Sequence, residues 1–261
     1  MNEVASADAS AYSTRAVSRV CDLLDLVADS DQGLSLRAAA VGSGMPKSTA
    51  FRYLATLEER QYVQRDGEGN YILGPAFRYQ DDRALDQLIE VSEPVLEALR
   101  DELGETTNLG RLDGSMIVHE LVVESGHMMR LAARVGERGY VHSTALGKAI
   151  CADSPELRVR ALLDNAGMPR FTTSTITTPD AYIIELDRVR DLGYGVDDAE
   201  NQEGGRCVAV AVPGTDLPCG ISVSAPATRL LASDVPRIAA RLHQAATDIG
   251  SRMSESRSVT K

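Results

Sequence analysis

The sequence lacks the features that would direct it into or across a membrane. It contains no unbroken apolar run of about eighteen residues, the length that a membrane span requires. Residues 1–13 show neither a basic start nor an apolar stretch, so no secretory signal is predicted. We therefore expect a cytoplasmic protein with no membrane partner.

Cysteine is also scarce, and the few residues are scattered. Cys21, Cys151, Cys207 and Cys219 form no C-x-x-C pair and have no histidine at ligand spacing. This pattern excludes a disulfide framework and a zinc ribbon, and we expect reduced thiols. No metal or cofactor is predicted.

Basic residues are outnumbered in the chain as a whole, whose net charge is -11. Because a nucleic-acid binder neutralises phosphates with Lys and Arg, this balance at first argues against one. Between Thr14 and Arg78, however, eight basic residues meet eight acidic ones, and between Met45 and Arg65 four basic residues meet two acidic ones. The acidic excess thus lies elsewhere, and modest DNA affinity strengthened by a dimer or tetramer is compatible with the composition.

Helical periodicity begins after a polar segment, residues 1–13, that we expect to be mobile. Apolar residues recur at intervals of three and four over residues 17–28, which predicts a first helix. Ser35 can cap a short second helix. Gly42-Ser43-Gly44 predicts a tight turn, and Pro46 suits the first turn of a third helix.

Two short alternating segments follow, at residues 62–65 and 71–73, around a turn that contains two glycines. They predict a small hairpin. Three helices and a hairpin over residues 14–78 have the order of a winged helix-turn-helix, although purely structural and protein-binding modules share that order.

The third helix carries groups suited to a DNA groove on the face opposite its apolar one. Arg52 can bond guanine in bidentate fashion, and Phe51 can contact a thymine methyl. An exposed aromatic beside an arginine is poorly explained as a solvated face, which favours DNA. We predict that double-stranded DNA is bound by residues on this helix, at the start of the first helix and on the hairpin, or wing. They are Arg15, Arg19, Lys47, Ser48, Thr49, Phe51, Arg52 and Arg65.

The rest of the chain predicts a second domain of mixed structure. We expect a linker helix over 79–91, a break at Ser92-Glu93-Pro94, a domain over 92–254 and a disordered tail over 255–261. Asp113-Gly114 predicts a hairpin turn. Further strands are predicted at 129–134, 195–197, 207–212 and 219–224, with helices starting near Ala145, Pro155, Pro179 and Ser233. The irregular order of strands and helices favours an α+β fold with an antiparallel sheet flanked by helices.

Enzymatic functions find little support, and we expect no catalytic residues. Lys47-Ser48-Thr49 after glycines is similar to a phosphate loop, but Pro46 stands where that motif needs glycine and no apolar strand precedes it. A Cys207 nucleophile would need a histidine base, and no spacing selects one. A metal site at Asp197 is equally unsupported by spacing.

The chain resembles the IclR family of transcription regulators from about Thr14 to Ile249. The resemblance rests on motifs whose order and spacing are together specific: Thr14-Arg15-Ala16-Val17, Pro46-Lys47-Ser48-Thr49, Arg52-Tyr53-Leu54-Ala55-Thr56-Leu57, Tyr71-Ile72-Leu73-Gly74, His142-Ser143-Thr144-Ala145-Leu146-Gly147-Lys148-Ala149, Gly193-Tyr194 and Gly204-Gly205-Arg206-Cys207-Val208-Ala209-Val210. It implies a GAF-like domain that binds a small-molecule effector, dimers that pair into tetramers, and control of a catabolic or related operon.

The resemblance also implies an effector pocket for a small organic acid. Its expected residues are Met129, Leu131, Ala145, Leu146, Asp197, Gly205, Cys207, Ser222 and Ser224. On one strand, Ser222 and Ser224 alternate with apolar residues, so both hydroxyls face the same side. This chain departs from the family where Asp198-Ala199 replaces the usual pair of glutamates after Asp197. The alternative is a ligand-independent DNA-binding regulator whose second domain serves only oligomerisation.

Overall fold

The structure is a computed structural model that describes residues 14–30, 33–131 and 133–259. Side chains are described for all of these except residues 15, 77–82 and 256–259. The chain divides into two compact units, Met1–Arg83 and Ala84–Lys261. None of the described helices is both long and apolar enough to cross a membrane. The tail expected over residues 1–13 lies outside the described residues.

The first unit has the predicted order of three helices and a hairpin. Its elements are α1 Arg15–Ala28, α2 Leu36–Gly42, α3 Lys47–Glu59, β1 Val63–Arg65 and β2 Tyr71–Leu73. The Ser35 hydroxyl caps α2 by accepting the Ala38 N–H at 3.2 Å, as its sequence position predicts. The two strands pair antiparallel and form the wing. The predicted winged helix-turn-helix is confirmed.

The apolar faces of these helices meet in one core beneath the hairpin. Leu23 and Val27 of α1, Leu54 and Leu57 of α3, and Tyr71 of β2 are all buried in it. Burying an aliphatic side chain of this size stabilises a fold by about 1.5–3 kcal/mol relative to leaving it exposed. Because this core holds one face of α3, the opposite face of that helix is kept in solvent.

One continuous helix, α4 (Pro75–Leu103), stands where the sequence predicts a linker helix over 79–91 and a separate helix after it. The predicted break is wrong. Pro94 removes the N–H that would bond the Glu90 carbonyl, but both residues are exposed, so solvent can satisfy that carbonyl. Leu96, two residues further, is fully buried in the core of the second unit and holds the helix there.

The second unit is built on a six-stranded antiparallel sheet with the spatial order β5-β4-β3-β8-β7-β6. Its strands are β3 Thr106–Asp113, β4 Met116–Val123, β5 Arg138–Tyr140, β6 Gly195–Asp198, β7 Gly205–Ala211 and β8 Cys219–Pro226. The β3–β4 hairpin turns at Asp113-Gly114 as predicted, and Gly114 has a φ of 58°, in the left-handed region that favours glycine.

Helices cover both faces of this sheet. They are α5 Ala145–Cys151, α6 Glu156–Ala166, α7 Pro179–Leu192 and α8 Val235–Val259, the last preceded by a 3-10 turn, Ala232–Asp234. Helices α4 and α8 pack on one face with Ile221 and Leu242 in the core, and α5 to α7 pack on the other with Ile117 and Leu186. The predicted α+β class is confirmed.

Two expectations for this unit are wrong. The described residues of segment 129–134 form no strand, and β5 lies further along. The segment lacks the alternating burial of a strand, since Met129 is 76% exposed at its start and Leu131 is only half-buried. The tail expected over 255–261 begins inside α8, which continues to Val259, and Met253, 1% exposed, packs in the core just before that tail. Residues 260–261 lie outside the described part.

Candidate functional site

Helix α3 presents a polar and aromatic face opposite its buried one. Ala50 and Leu54 are fully buried, whereas Ser48, Phe51 and Arg52 are exposed, Phe51 by 45%. Helical spacing puts the three exposed residues within about one turn of one another. We call Ser48, Phe51 and Arg52 the reading face, because in a major groove a guanidinium can bond guanine and a phenylalanine side chain can contact a thymine methyl.

The start of α3 offers further contacts for a phosphate. Pro46 occupies the N-cap position, and no side chain caps the helix. The first N–H groups of a helix have no partner within it, so an anion can accept bonds from them. Lys47 is exposed and Thr49 half-buried beside these groups. Their predicted role in holding the DNA backbone is compatible with this placement.

The wing arginine is already held by two neighbours. Arg65 Nη2 donates to the Tyr71 hydroxyl at 2.9 Å, and the guanidinium carbon lies 4.9 Å from the centroid of the Tyr71 ring. Arg65 Nε lies 3.3 Å from Glu58 Oε1, yet the Arg65 side chain remains 43% exposed. On α1, Arg19 is half-buried, and the side chain of Arg15 lies outside the described residues. DNA contacts by these three arginines stay predictions.

The residues predicted for the effector converge on one cavity of about 120 Å³ in the second unit. Its lining consists of His119, Leu131, Ala133, Glu137, Thr144, Ala145, Leu146, Asp197, Asn201, Gln202, Gly205, Cys207, Ser222 and Ser224. Met129 is the exception among the predicted set. Its side chain is 76% exposed, and its backbone oxygen accepts a bond from Arg229 at 2.9 Å. Its assignment to the apolar wall is therefore wrong.

The floor of the cavity is a pair of hydroxyls oriented by one amide. Asn108 on β3 donates from Nδ2 to the Oγ atoms of Ser222 and Ser224, each at 3.1 Å. The Cys207 thiol also donates to Ser224 Oγ, at 3.1 Å. Because the serine oxygens accept these bonds, their own O–H groups are left to donate into the cavity. Sequence reasoning missed Asn108, which is 1% exposed and meets Ser222 across 114 positions of the chain.

Asp197 shapes a turn at the edge of the cavity. Its Oδ1 accepts the backbone N–H groups of Glu200 at 2.7 Å and Asn201 at 3.2 Å. Ala199, between Asp197 and Glu200, has a left-handed φ of 59°, a strained conformation for a residue with a Cβ. Burial raises the pKa of Asp197 to about 6, although the two N–H bonds lower it. The carboxyl therefore titrates close to physiological pH.

A buried lysine stands behind that turn. Lys148 on α5 is 1% exposed, and its Nζ donates to the Val196 carbonyl at 2.7 Å, to Glu185 Oε1 at 3.2 Å and to the Glu200 carboxylate. Burial raises the pKa of Glu200 to about 7 even though the lysine lowers it. Three partners use the three N–H bonds of the ammonium, so Lys148 fixes the turn and offers no free donor to the cavity.

His119 is a cavity residue that sequence reasoning did not select. It follows the buried Ile117 by two positions on β4, and a period of two puts both on the same face. Among the described residues its Nδ1 has no hydrogen-bond partner, and that atom is buried. Burial lowers the pKa of His119, and Glu137 opposes this shift. The imidazole is therefore neutral near pH 7. The alternation along β4 could have identified it.

Cys207 is a thiol and not a thiolate. Burial raises its pKa to about 12, and the carboxylate of Asp197 adds to the shift. A nucleophilic cysteine needs a lowered pKa, so the geometry gives no support to covalent catalysis at this residue. The four cysteines are free in the structure. Cys207 thus contributes shape and one weak donor to the floor.

Known proteins match both units. Residues 16–67 match the IclR helix-turn-helix domain, and residues 84–251 match the bacterial transcriptional regulator IclR C-terminal domain. The HTH-type transcriptional regulator KdgR of Escherichia coli is 35% identical over 80% of this chain and 81% of its own length. The transcriptional repressor IclR of E. coli is 31% identical over 90% of this chain and 88% of its own length.

A solved structure agrees over nearly the full length. The crystal structure of the Thermotoga maritima IclR has a TM-score of 0.61 and 26% identity, covering 91% of this chain and 98% of that chain. The two matched domains contain the reading face and the cavity, respectively. The chain therefore belongs to the IclR family of bacterial transcription regulators.

Proposed function

We propose that this regulator represses a catabolic or related operon by binding a double-stranded DNA operator, and that a small organic acid in the second unit controls it. The observation that carries the proposal is the reading face, an exposed aromatic and guanidinium on a helix whose other side is buried. We infer repression because the E. coli relative IclR is named a transcriptional repressor. A homodimer or tetramer supplies the affinity that the weak positive charge of one α3 segment lacks.

Two substitutions on α3, Arg52→Ala and Lys47→Ala, separate base recognition from contact with the DNA phosphates. A bidentate arginine–guanine pair is worth about 1–3 kcal/mol of discrimination, so Arg52→Ala should weaken binding to the promoter of its own gene roughly 5- to 150-fold. Lys47→Ala should weaken binding to all sequences and reduce the slope of log K against log salt by about 0.9. Fluorescence anisotropy with labelled duplexes over a range of salt concentrations measures both effects.

Arg60→Ala is the matched control, since Arg60 is exposed at the far end of α3 and away from the reading face. It should leave both the affinity and the salt slope unchanged. Full sequence-specific binding by Arg52→Ala would contradict the proposed reading face.

The cavity suits a short acid. Its volume of about 120 Å³ is somewhat below the roughly 150 Å³ of an engineered cavity that holds benzene. Leu131 and Leu146 provide apolar wall, and the O–H groups of Ser222 and Ser224 provide donors on one side. Apolar walls with a few converging polar groups are typical of small-molecule sites. These features favour keto and hydroxy acids of a few carbons.

Thermal unfolding tests the acid site. A ligand at a hundred times its Kd stabilises the folded state by about 2.7 kcal/mol, which raises Tm by about 5–10 °C in a domain of this size. We would test pyruvate, lactate, gluconate and benzoate. The double variant Ser222→Ala/Ser224→Ala should lose the shift, and Ser251→Ala, exposed on α8, should keep it. A protein that binds its operator but shows no shift with any acid would favour the alternative, a second domain that only oligomerises.

A further inference from the structure

The cavity carries acidic side chains of its own. Glu137, just before β5, and Asp197 on β6 both line it, and the described lining residues include no lysine or arginine. Lys148 is close in sequence to the cavity wall, but its Nζ is bonded to Glu185, Glu200 and a carbonyl. A carboxylate that enters this cavity therefore meets two carboxyl groups and no free cation. Like charges within one small cavity oppose binding unless a proton accompanies the acid.

The lining residue that can accept such a proton and become a cation is His119. The His119 ring borders the cavity, and its buried Nδ1 has no partner among the described residues. The remaining polar groups of the wall are hydroxyls, amides and a thiol, which do not become cations. A protonated imidazole would offer donors at both ring nitrogens, one of them toward a bound carboxylate.

The groups that face His119 from the packed elements are few. Its pairing partner on β3 is Gly110, which has no side chain. Arg138 on β5 donates to the Asp113 carboxylate and is not among the residues that line the cavity. The titratable groups that share the cavity with His119 are Glu137, Asp197 and Cys207. Glu137 favours a cation at this position, and the thiol is neutral.

We propose that His119 recognises the anionic head group of the effector, and that the cavity takes up one proton on this imidazole as the acid binds. This inference rests on the proposed function, which supplies the acid. The free site holds a neutral ring, and the bound site holds an imidazolium paired with the acid's carboxylate. The ion pair removes the conflict between the acid and the two carboxyl groups of the wall.

The sign of the pH dependence follows from this pairing. Burial lowers the pKa of His119 in the free protein, and the bound carboxylate raises it. Between these two values each acid molecule brings one proton, so Kd rises about tenfold per pH unit. Asp197 is the rival proton site, because burial raises its pKa to about 6 even though its Oδ1 accepts two backbone N–H bonds, and replacing His119 distinguishes the two groups.

Calorimetry measures the proton directly. Pyruvate, lactate, gluconate and benzoate are titrated into the full-length protein at pH 7 in buffers of different ionisation enthalpy. The slope of the observed binding enthalpy against the ionisation enthalpy of the buffer gives the number of protons taken up. We expect a value near one for the wild type and for His243→Gln, an exposed control on α8. For His119→Gln we expect a value near zero with weaker binding, or loss of binding at an unchanged Tm. In a second measurement, the wild-type Kd should rise from pH 7 to pH 8, by up to about tenfold.

The outcomes separate this inference from the function beneath it. Binding without proton uptake by the wild type, or the same uptake by His119→Gln, would overturn the role of His119 and leave the acid site standing. A flat wild-type Kd between pH 7 and pH 8 would also overturn it. If none of the four acids binds the wild type, the acid site and the role of His119 both fail.

Discussion

Replacing Lys148 by methionine tests the buried ion cluster behind the cavity. Methionine keeps an unbranched chain but removes the charge, which leaves the Glu200 carboxylate without its cation. Lys148 and Glu200 are 1% and 8% exposed, so solvent cannot replace the lost contacts. Breaking a buried ion pair from one side costs about 3–5 kcal/mol. At pH 8 we expect a loss in this range, which lowers Tm by about 6–20 °C for a domain of this size.

The pH dependence of this loss separates charge from packing. Burial raises the pKa of Glu200 from 4.5 to about 7 in the wild type, so ionising this carboxyl costs stability as pH rises through that window. Well below pH 7 Glu200 is protonated with or without Lys148, so the loss of folding stability caused by Lys148→Met should be smaller there. Above pH 7 only the wild type compensates the carboxylate, and the defect should be largest.

Thermal melts of the wild type and Lys148→Met at pH 5.5 and pH 8 provide the assay. The double variant Lys148→Met/Glu200→Gln should recover part of the loss at pH 8, because it removes the uncompensated charge. Lys47→Met, exposed at the start of α3, is the control and should melt like the wild type. A defect of equal size at both pH values, or a double variant no more stable than Lys148→Met, would refute the assigned role of the ion cluster.

Two further predictions concern the close approach of the backbone at Gly74 to that at Gln61 and the reactivity of the thiols. A Cβ at Gly74 would lie 2.1 Å from the Gln61 oxygen, whereas one at Gly67 meets nothing within 4 Å, so Gly74→Ala should lower the Tm of the first unit and Gly67→Ala should not. Equal melting of the two variants would contradict this. Burial raises the pKa of Cys207 to about 12, and Cys21 is exposed, so a thiol reagent at pH 8 should modify Cys21 in the native protein and leave Cys207 unmodified until denaturant is added. Rapid native labelling of Cys207, located by mass spectrometry, would count against its raised pKa.

Local patterns were sufficient to predict the elements that carry the site. The apolar and polar faces of α3 follow from helical spacing alone, because a core anchors one side of a short amphipathic helix wherever it packs. The turn at Asp113-Gly114 and the shared face of Ser222 and Ser224 follow from turn chemistry and a period of two. Each of these inferences depends on residues only a few positions apart.

Contacts between distant residues could not be predicted in this way. Lys148 meets Glu200 across 52 positions, and nothing near either residue indicates the pairing. Asn108 is an ordinary strand residue until β8 lies beside it. Pro94 shows the opposite error, because its local signal to end a helix is overridden by the burial of Leu96 on the same helix. Tertiary packing decided all three cases.

The cavity has a hydroxyl floor in the interior of the sheet and three titratable side chains around it. Its hydroxyl floor lies on β8 and is bonded to β3 and β7, three adjacent strands in the interior of the sheet, where a substitution disturbs pairing on both sides. Its titratable side chains His119, Glu137 and Asp197 come from β4, from the segment before β5 and from the edge strand β6, respectively. His119 is paired with β3 in the interior of the sheet, and Asp197 holds the turn after β6, so exchanging either residue also disturbs the fold. Glu137 is exposed, so exchanging it changes the charge at the cavity while the serine pair stays in place.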